Sequence, residues 1–161
     1  MQSIGNDQYF LIIGAMKSAT TSLFEYLAEH PQICASEVKE PEYFSAQQRP
    51  HDTRNRIAAY DDLWHFEPGQ HAYVMEASTG YAKYEEPGVV AAIAASGIRP
   101  KFAYILRDPF ARIESQYNFM RRKPEWRHAI TDPELVQTSN YYRFASAYAG
   151  EFGRESLLIL D

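Results

Sequence analysis

At 161 residues, with 45% apolar and 23% charged side chains, the chain has the size and balance of one globular domain with a single core, not of a disordered segment. A formal net charge of −5 argues against general nucleic-acid binding, which draws on basic surface, but leaves room for a local basic pocket. The single cysteine, Cys34, excludes an internal disulfide and a thiolate zinc cluster, and no apolar run approaches the roughly 20 residues that span a bilayer.

The polar N-terminus, residues 1–8, lacks the basic and apolar stretches of a signal peptide, so the expectation is a cytoplasmic chain with no membrane partner. Residues 9–13 (Tyr-Phe-Leu-Ile-Ile) form a continuous apolar run stopped by Gly14, the pattern of a strand buried on both faces. From Thr20, apolar residues recur at helical spacing through Leu23, Phe24, Leu27 and Ala28, and His30-Pro31 ends the helix. Residues 46–56 are the most polar segment and read as a surface loop. Residues 72–75 predict a second central strand, followed by the turn Ala77-Ser78-Thr79-Gly80. Pro87-Gly88 opens a helix through Ala95, closed by Gly97. Residues 102–106 are a third buried strand, and Pro109 starts a helix to about Arg122. A mixed loop punctuated by Pro124 and Pro133 follows, then a helix over 141–152 and a last strand over 157–160.

Alternating strands and helices predict a single three-layer α/β/α domain over residues 1–161, with a mostly parallel central sheet and ligands at the carboxyl ends of its strands. Ending on a strand suggests that a C-terminal portion of the domain is missing.

Two junctions carry the chemistry. In the first, residues 14–22 (Gly-Ala-Met-Lys-Ser-Ala-Thr-Thr-Ser) link a buried strand to a helix. Small residues let backbone N–H groups approach a ligand, the helix N-terminus favours anions, and the hydroxyls of Thr20, Thr21 and Ser22 add donors. Against the triphosphatase pattern G-x-x-x-x-G-K-[ST], Ala19 replaces the second glycine and Thr20 the lysine, while Lys17 stands three residues earlier. ATP with magnesium is therefore not expected. In the second junction, Arg107 emerges at the sheet edge and Ser115 follows eight residues later, a pair able to hold another phosphate.

Lys17-Ser18-Ala19-Thr20-Thr21-Ser22 resembles the 5′-phosphosulfate loop of the sulfotransferases that use 3′-phosphoadenosine 5′-phosphosulfate (PAPS), P-K-[ST]-G-[ST]-T-[ST], with Ala19 where glycine is usual. Alanine suits that position at negative φ and costs stability otherwise. Residues 107–117 resemble the family's 3′-phosphate motif, R-[DN]-P-x-x-R-x-x-S-x-[FY], at every fixed position. Lys39-Glu40-Pro41-Glu42-Tyr43-Phe44 resembles the K-E-P-x-[FY]-F segment of the heparan-sulfate-like and bacterial branch, and residues 76–81 its E-x-[ST]-P-x-Y segment, with Thr79 for the proline.

The resemblance implies a P-loop-like sulfotransferase fold and transfer of a sulfuryl group from PAPS to a hydroxyl or amine, with no metal required. It implies that Lys17 contacts the oxygen bridging phosphate and sulfate, that Ser18, Ala19, Thr20, Thr21 and Ser22 hold the 5′ end, and that Arg107 and Ser115 hold the 3′-phosphate. Arg112 either joins them or pairs with an acid on the helix surface. Glu40 would be the catalytic base, with His30 a competitor, and Lys39 a further candidate for contact with the acceptor. The acceptor would be a small molecule or carbohydrate. Ala77 stands where the heparan-sulfate enzymes carry a lysine, so their polysaccharide specificity does not transfer. The cluster Arg121, Arg122, Lys123 and Arg127 around Trp126 reads as a solvated loop or an acceptor contact. Two alternatives stay open: a non-catalytic module that binds PAPS or its product 3′-phosphoadenosine 5′-phosphate (PAP), and a small-molecule kinase.

Overall fold

The structure, a computed structural model, describes residues 4–46, 59–83 and 88–161. Its frame is a five-stranded sheet built from β1 (Tyr9–Gly14), β2 (Ile33–Ala35), β3 (Tyr73–Ala77), β4 (Lys101–Ile105) and β5 (Leu157–Leu160), in the order β2-β3-β1-β4-β5. Every pairing is parallel, so the expectation of a mostly parallel sheet becomes a wholly parallel one among the described residues. The four expected strands are all present. The fifth, β2, is only Ile-Cys-Ala, too short for any apolar period to show.

Strand β1 is central because it is apolar at successive positions, which suits burial on both faces. Leu11 and Ile13 point into one apolar cluster with Val74, Phe102, Ile93 and Tyr148, while Ile12 points into another with Met75, Ala103 and Phe24. The first cluster lies under α3 (Val89–Ala95) and α6 (Tyr141–Phe152), the second under α1 (Thr20–Ala28), giving three layers. Cys34 is a buried free thiol on β2, and burial pushes it up, away from the thiolate.

Two more helices complete the carboxyl side. Helix α4 (Pro109–Met120) ends two residues before the expected Arg122; Pro109 occupies its first turn, and Asp108 Oδ1 accepts from Ala111 N at 2.8 Å. The segment expected to be loop contains α5 (Pro133–Gln137), started in the same way by Asp132, which accepts from Glu134 N at 2.9 Å. A short helix α2 (Tyr43–Ala46) precedes the polar segment. The surface-loop expectation there, and Pro87, lie outside the described residues apart from Ala46.

Candidate functional site

In a parallel sheet the loops leaving the strands share one edge. Here the loops after β1, β3 and β4, together with the segment that follows β2, surround a cavity of about 490 Å³. Lys17, Ala19, Thr20 and Thr21 line it from the first junction, Arg107 and Ser115 from the second, and Glu40 from the segment beyond β2. The sequence separates these residues by up to 98 positions, from Lys17 to Ser115; the sheet order brings them together.

The loop between β1 and α1 is built to face an anion. Helix α1 has no side-chain cap at Ala19, and its first bond runs from Leu23 N to Ala19 O at 3.1 Å. The first-turn N–H groups of Thr20, Thr21 and Ser22 therefore lack helical carbonyls and concentrate the positive end of the helix. Ala19 itself stands at φ 61°, in the left-handed region. That is the unfavourable case for alanine, at a cost of roughly 1–2 kcal/mol relative to an ordinary backbone. Lys17 is also left-handed, at φ 70°, and its ammonium rests 4.7 Å from the centre of the Phe119 ring.

Both arginines of the second junction grip this loop. Arg107 Nη1 donates to Lys17 O at 3.0 Å, and Tyr141 Oη donates to Arg107 O at 2.8 Å. Arg112 is wholly buried, and none of its described partners is an acid. It donates to Met16 O at 3.4 Å, Gln116 Oε1 at 2.5 Å, Ser139 Oγ at 2.5 Å and the Leu135 carbonyl. Burial pushes its guanidinium below the usual range. Arg112 thus joins α4, α5 and the β1–α1 loop, a third role beside the two expected.

Glu40 is at φ 55°, and its N–H donates to Ala77 O at 3.1 Å, which fixes it beside the end of β3. Its carboxylate is 3.3 Å from Lys39 Nζ. Behind it, Glu42 Oε1 accepts from Gly80 N at 2.8 Å, and a Cβ added at Gly80 would fall 1.9 Å from Glu42 Oε2. That close approach is what the glycine permits. Glu76, wholly buried, is pushed up to about 7 by burial, against the opposing pull of hydroxyl hydrogen bonds from Ser78, Tyr60 and Tyr81.

Some expected residues lie elsewhere. Ser18 is buried with an Oγ unpartnered among the described residues, Ser22 is exposed on α1, and Lys39 is engaged with Glu40; none of the three lines the cavity. Among the described histidines, His30 included, none lines it either. The basic cluster stays outside, with Arg127 donating to the carbonyls of Pro124 and Trp126. The lining also includes Met16, Thr79, Lys83 and Phe119, which sequence reasoning did not assign. Their signal was positional: Thr79 and Lys83 follow a strand's carboxyl end, and Phe119 lies one helical turn beyond Ser115.

The fold is similar to the crystal structure of a sulfotransferase from Alicyclobacillus acidocaldarius, with a TM-score of 0.77 and 24% identity over 98% of this chain and 73% of that one. In sequence, 114 residues, or 68% of the chain, are 34% identical to the membrane-associated sulfotransferase kil1 of Dictyostelium discoideum. The matched stretch spans 22% of that protein's length. Among the described residues, no helix is long and apolar enough to cross a membrane. No family model matches the chain. Sequence and fold agree, and this chain belongs to the sulfotransferase family.

Proposed function

We propose that the chain transfers a sulfuryl group from PAPS to a hydroxyl or amine of a small-molecule or carbohydrate acceptor. One observation carries the reading: Lys17, Thr20, Thr21, Glu40, Arg107 and Ser115 face a single cavity. Its donor set suits a nucleotide phosphorylated at both ends, since the first turn of α1 and its hydroxyls line the cavity together with a second pair of donors, Arg107 and Ser115.

The bound donor supplies an activated sulfuryl group on its 5′-phosphate. Thr20, Thr21 and the first-turn N–H groups of α1 hold that phosphate, while Arg107 and Ser115 take the 3′-phosphate and so favour this donor over ATP. Glu40 accepts the proton of the acceptor as the new bond to sulfur forms. Lys17 stabilises the negative charge that collects on the phosphate oxygen as its bond to sulfur breaks. Phe119 steadies that ammonium from behind through its ring face.

The test is turnover with PAPS in an acceptor screen. Lys17→Ala should lower kcat by about 10²-fold or more, the usual cost of losing one group that stabilises developing charge. Glu40→Gln should lower kcat while leaving PAP affinity unchanged. Turnover insensitive to Lys17→Ala would sink the mechanism.

A further inference from the structure

Glu76 lies on β3, wholly buried, and three hydroxyls converge on its carboxylate. Tyr60 and Tyr81 each donate to Oε1 at 2.7 Å, and Ser78 donates to Oε2 at 2.5 Å. Two of these hydroxyls in turn accept from the backbone that carries Glu40. Glu42 N donates to Ser78 Oγ at 2.9 Å, and Phe44 N donates to Tyr81 Oη at 3.3 Å. A hydroxyl has one proton, and the Glu76 carboxylate, once ionised above about pH 7, only accepts. By taking the protons of Ser78 and Tyr81, Glu76 leaves their lone pairs facing the two amides. It therefore sets the direction of both hydrogen-bond chains.

That segment needs holding. Glu40 and Glu42 stand at φ 55° and 53°, left-handed conformations that non-glycine residues keep only when the surroundings fix them. We propose that Glu76 is a positioning residue of the transfer site: it orients the Ser78 and Tyr81 hydroxyls so that they pin residues 40–44, and Glu40 with them, beside the end of β3. The inference rests on the transfer reading for its consequence in turnover, but not for the anchoring itself.

Glutamine is the discriminating substitution. Its amide has one acceptor and one NH₂ group, so whichever way it turns, at least one hydroxyl faces a donor instead of an acceptor. That hydroxyl must turn its proton elsewhere, toward the amide it was receiving. Amide exchange measured by NMR on the whole chain reads this directly. In Glu76→Gln, exchange at Glu42, Phe44 or both should accelerate on the order of tenfold, as for a lost hydrogen bond. In Ser78→Ala, Glu42 should accelerate and Phe44 should not. Leu23, whose amide bonds to Ala19 in the phosphate loop, should be unchanged in both. Turnover with PAPS should fall about tenfold or more in Glu76→Gln through misplacement of Glu40, while the Kd for PAP stays within about twofold, since both phosphate sites lie elsewhere.

Unchanged exchange at both Glu42 and Phe44 in Glu76→Gln would overturn the proposal. So would acceleration shared by Leu23, which signals general loosening, or a loss of PAP affinity in step with turnover. PAP binding to neither protein would overturn the donor reading alone, with the exchange rates still deciding the anchor.

Discussion

Lys17 has its ammonium against an aromatic face and its carbonyl held by Arg107. Ring and arginine fix both ends of a residue whose backbone is itself left-handed. The same loop carries a local cost at Ala19, where glycine would sit without steric penalty. Ala19→Gly should therefore raise stability by about 0.5–1 kcal/mol, the left-handed penalty less the extra chain entropy of glycine. A thermal melt checks this, and a lower Tm would show that the loop tolerates alanine without strain. At this scale the sequence was most informative about residues in contiguous motifs. Lys17, Thr20, Thr21, Arg107 and Ser115 were legible because a strand-turn-helix junction places them by local spacing alone. Ser18 and Ser22 share that spacing, but the loop before α1 buries the first and the helix turns the second to solvent.

Helix α4 is where two motifs become one structure. Arg112 reaches from it to the Leu135 carbonyl, to Ser139 and to Met16, so its guanidinium satisfies acceptors on three separate segments. Replacing it by methionine keeps much of the packing but leaves those acceptors without donors. Arg112→Met should destabilise the chain by roughly 2–4 kcal/mol and weaken PAP binding by loosening the phosphate loop. Urea unfolding measures the first and calorimetry the second; an unchanged midpoint would mean that water replaces the guanidinium without cost. Residues 107–117 did not announce this role, because apart from Gln116 and Met16 the partners come from α5 and the turn after it, which the sequence showed only as a proline-punctuated loop. Strand β2 was hidden for a different reason: three residues reveal no alternation, and only pairing with β3 makes them a strand.

Over the whole molecule, a net charge of −5 conceals a cavity edge that gathers Lys17, Lys83 and Arg107 around one lining carboxylate among the described residues, Glu40. Composition could not reveal that local field, whereas the order of strands and helices did predict the edge on which it forms. Global stability should carry the mark of Glu76. Its carboxyl titrates at about 7 in the fold against an ordinary 4.5, so between those values the folded chain keeps a proton that the unfolded chain has lost. Its contribution to stability therefore falls as pH rises from about 4.5 to about 7 and levels off above. Glu76→Gln lacks this titration, so its Tm relative to the parent should climb across that window. Parallel Tm curves would contradict the shift.

The most direct test of the central claim is calorimetric titration with PAP, alongside ATP plus magnesium. The account predicts metal-independent binding of PAP in preference to ATP, weakened by Arg107→Ala through loss of the 3′-phosphate contact. A preference for ATP with magnesium, or PAP binding indifferent to Arg107→Ala, would contradict it.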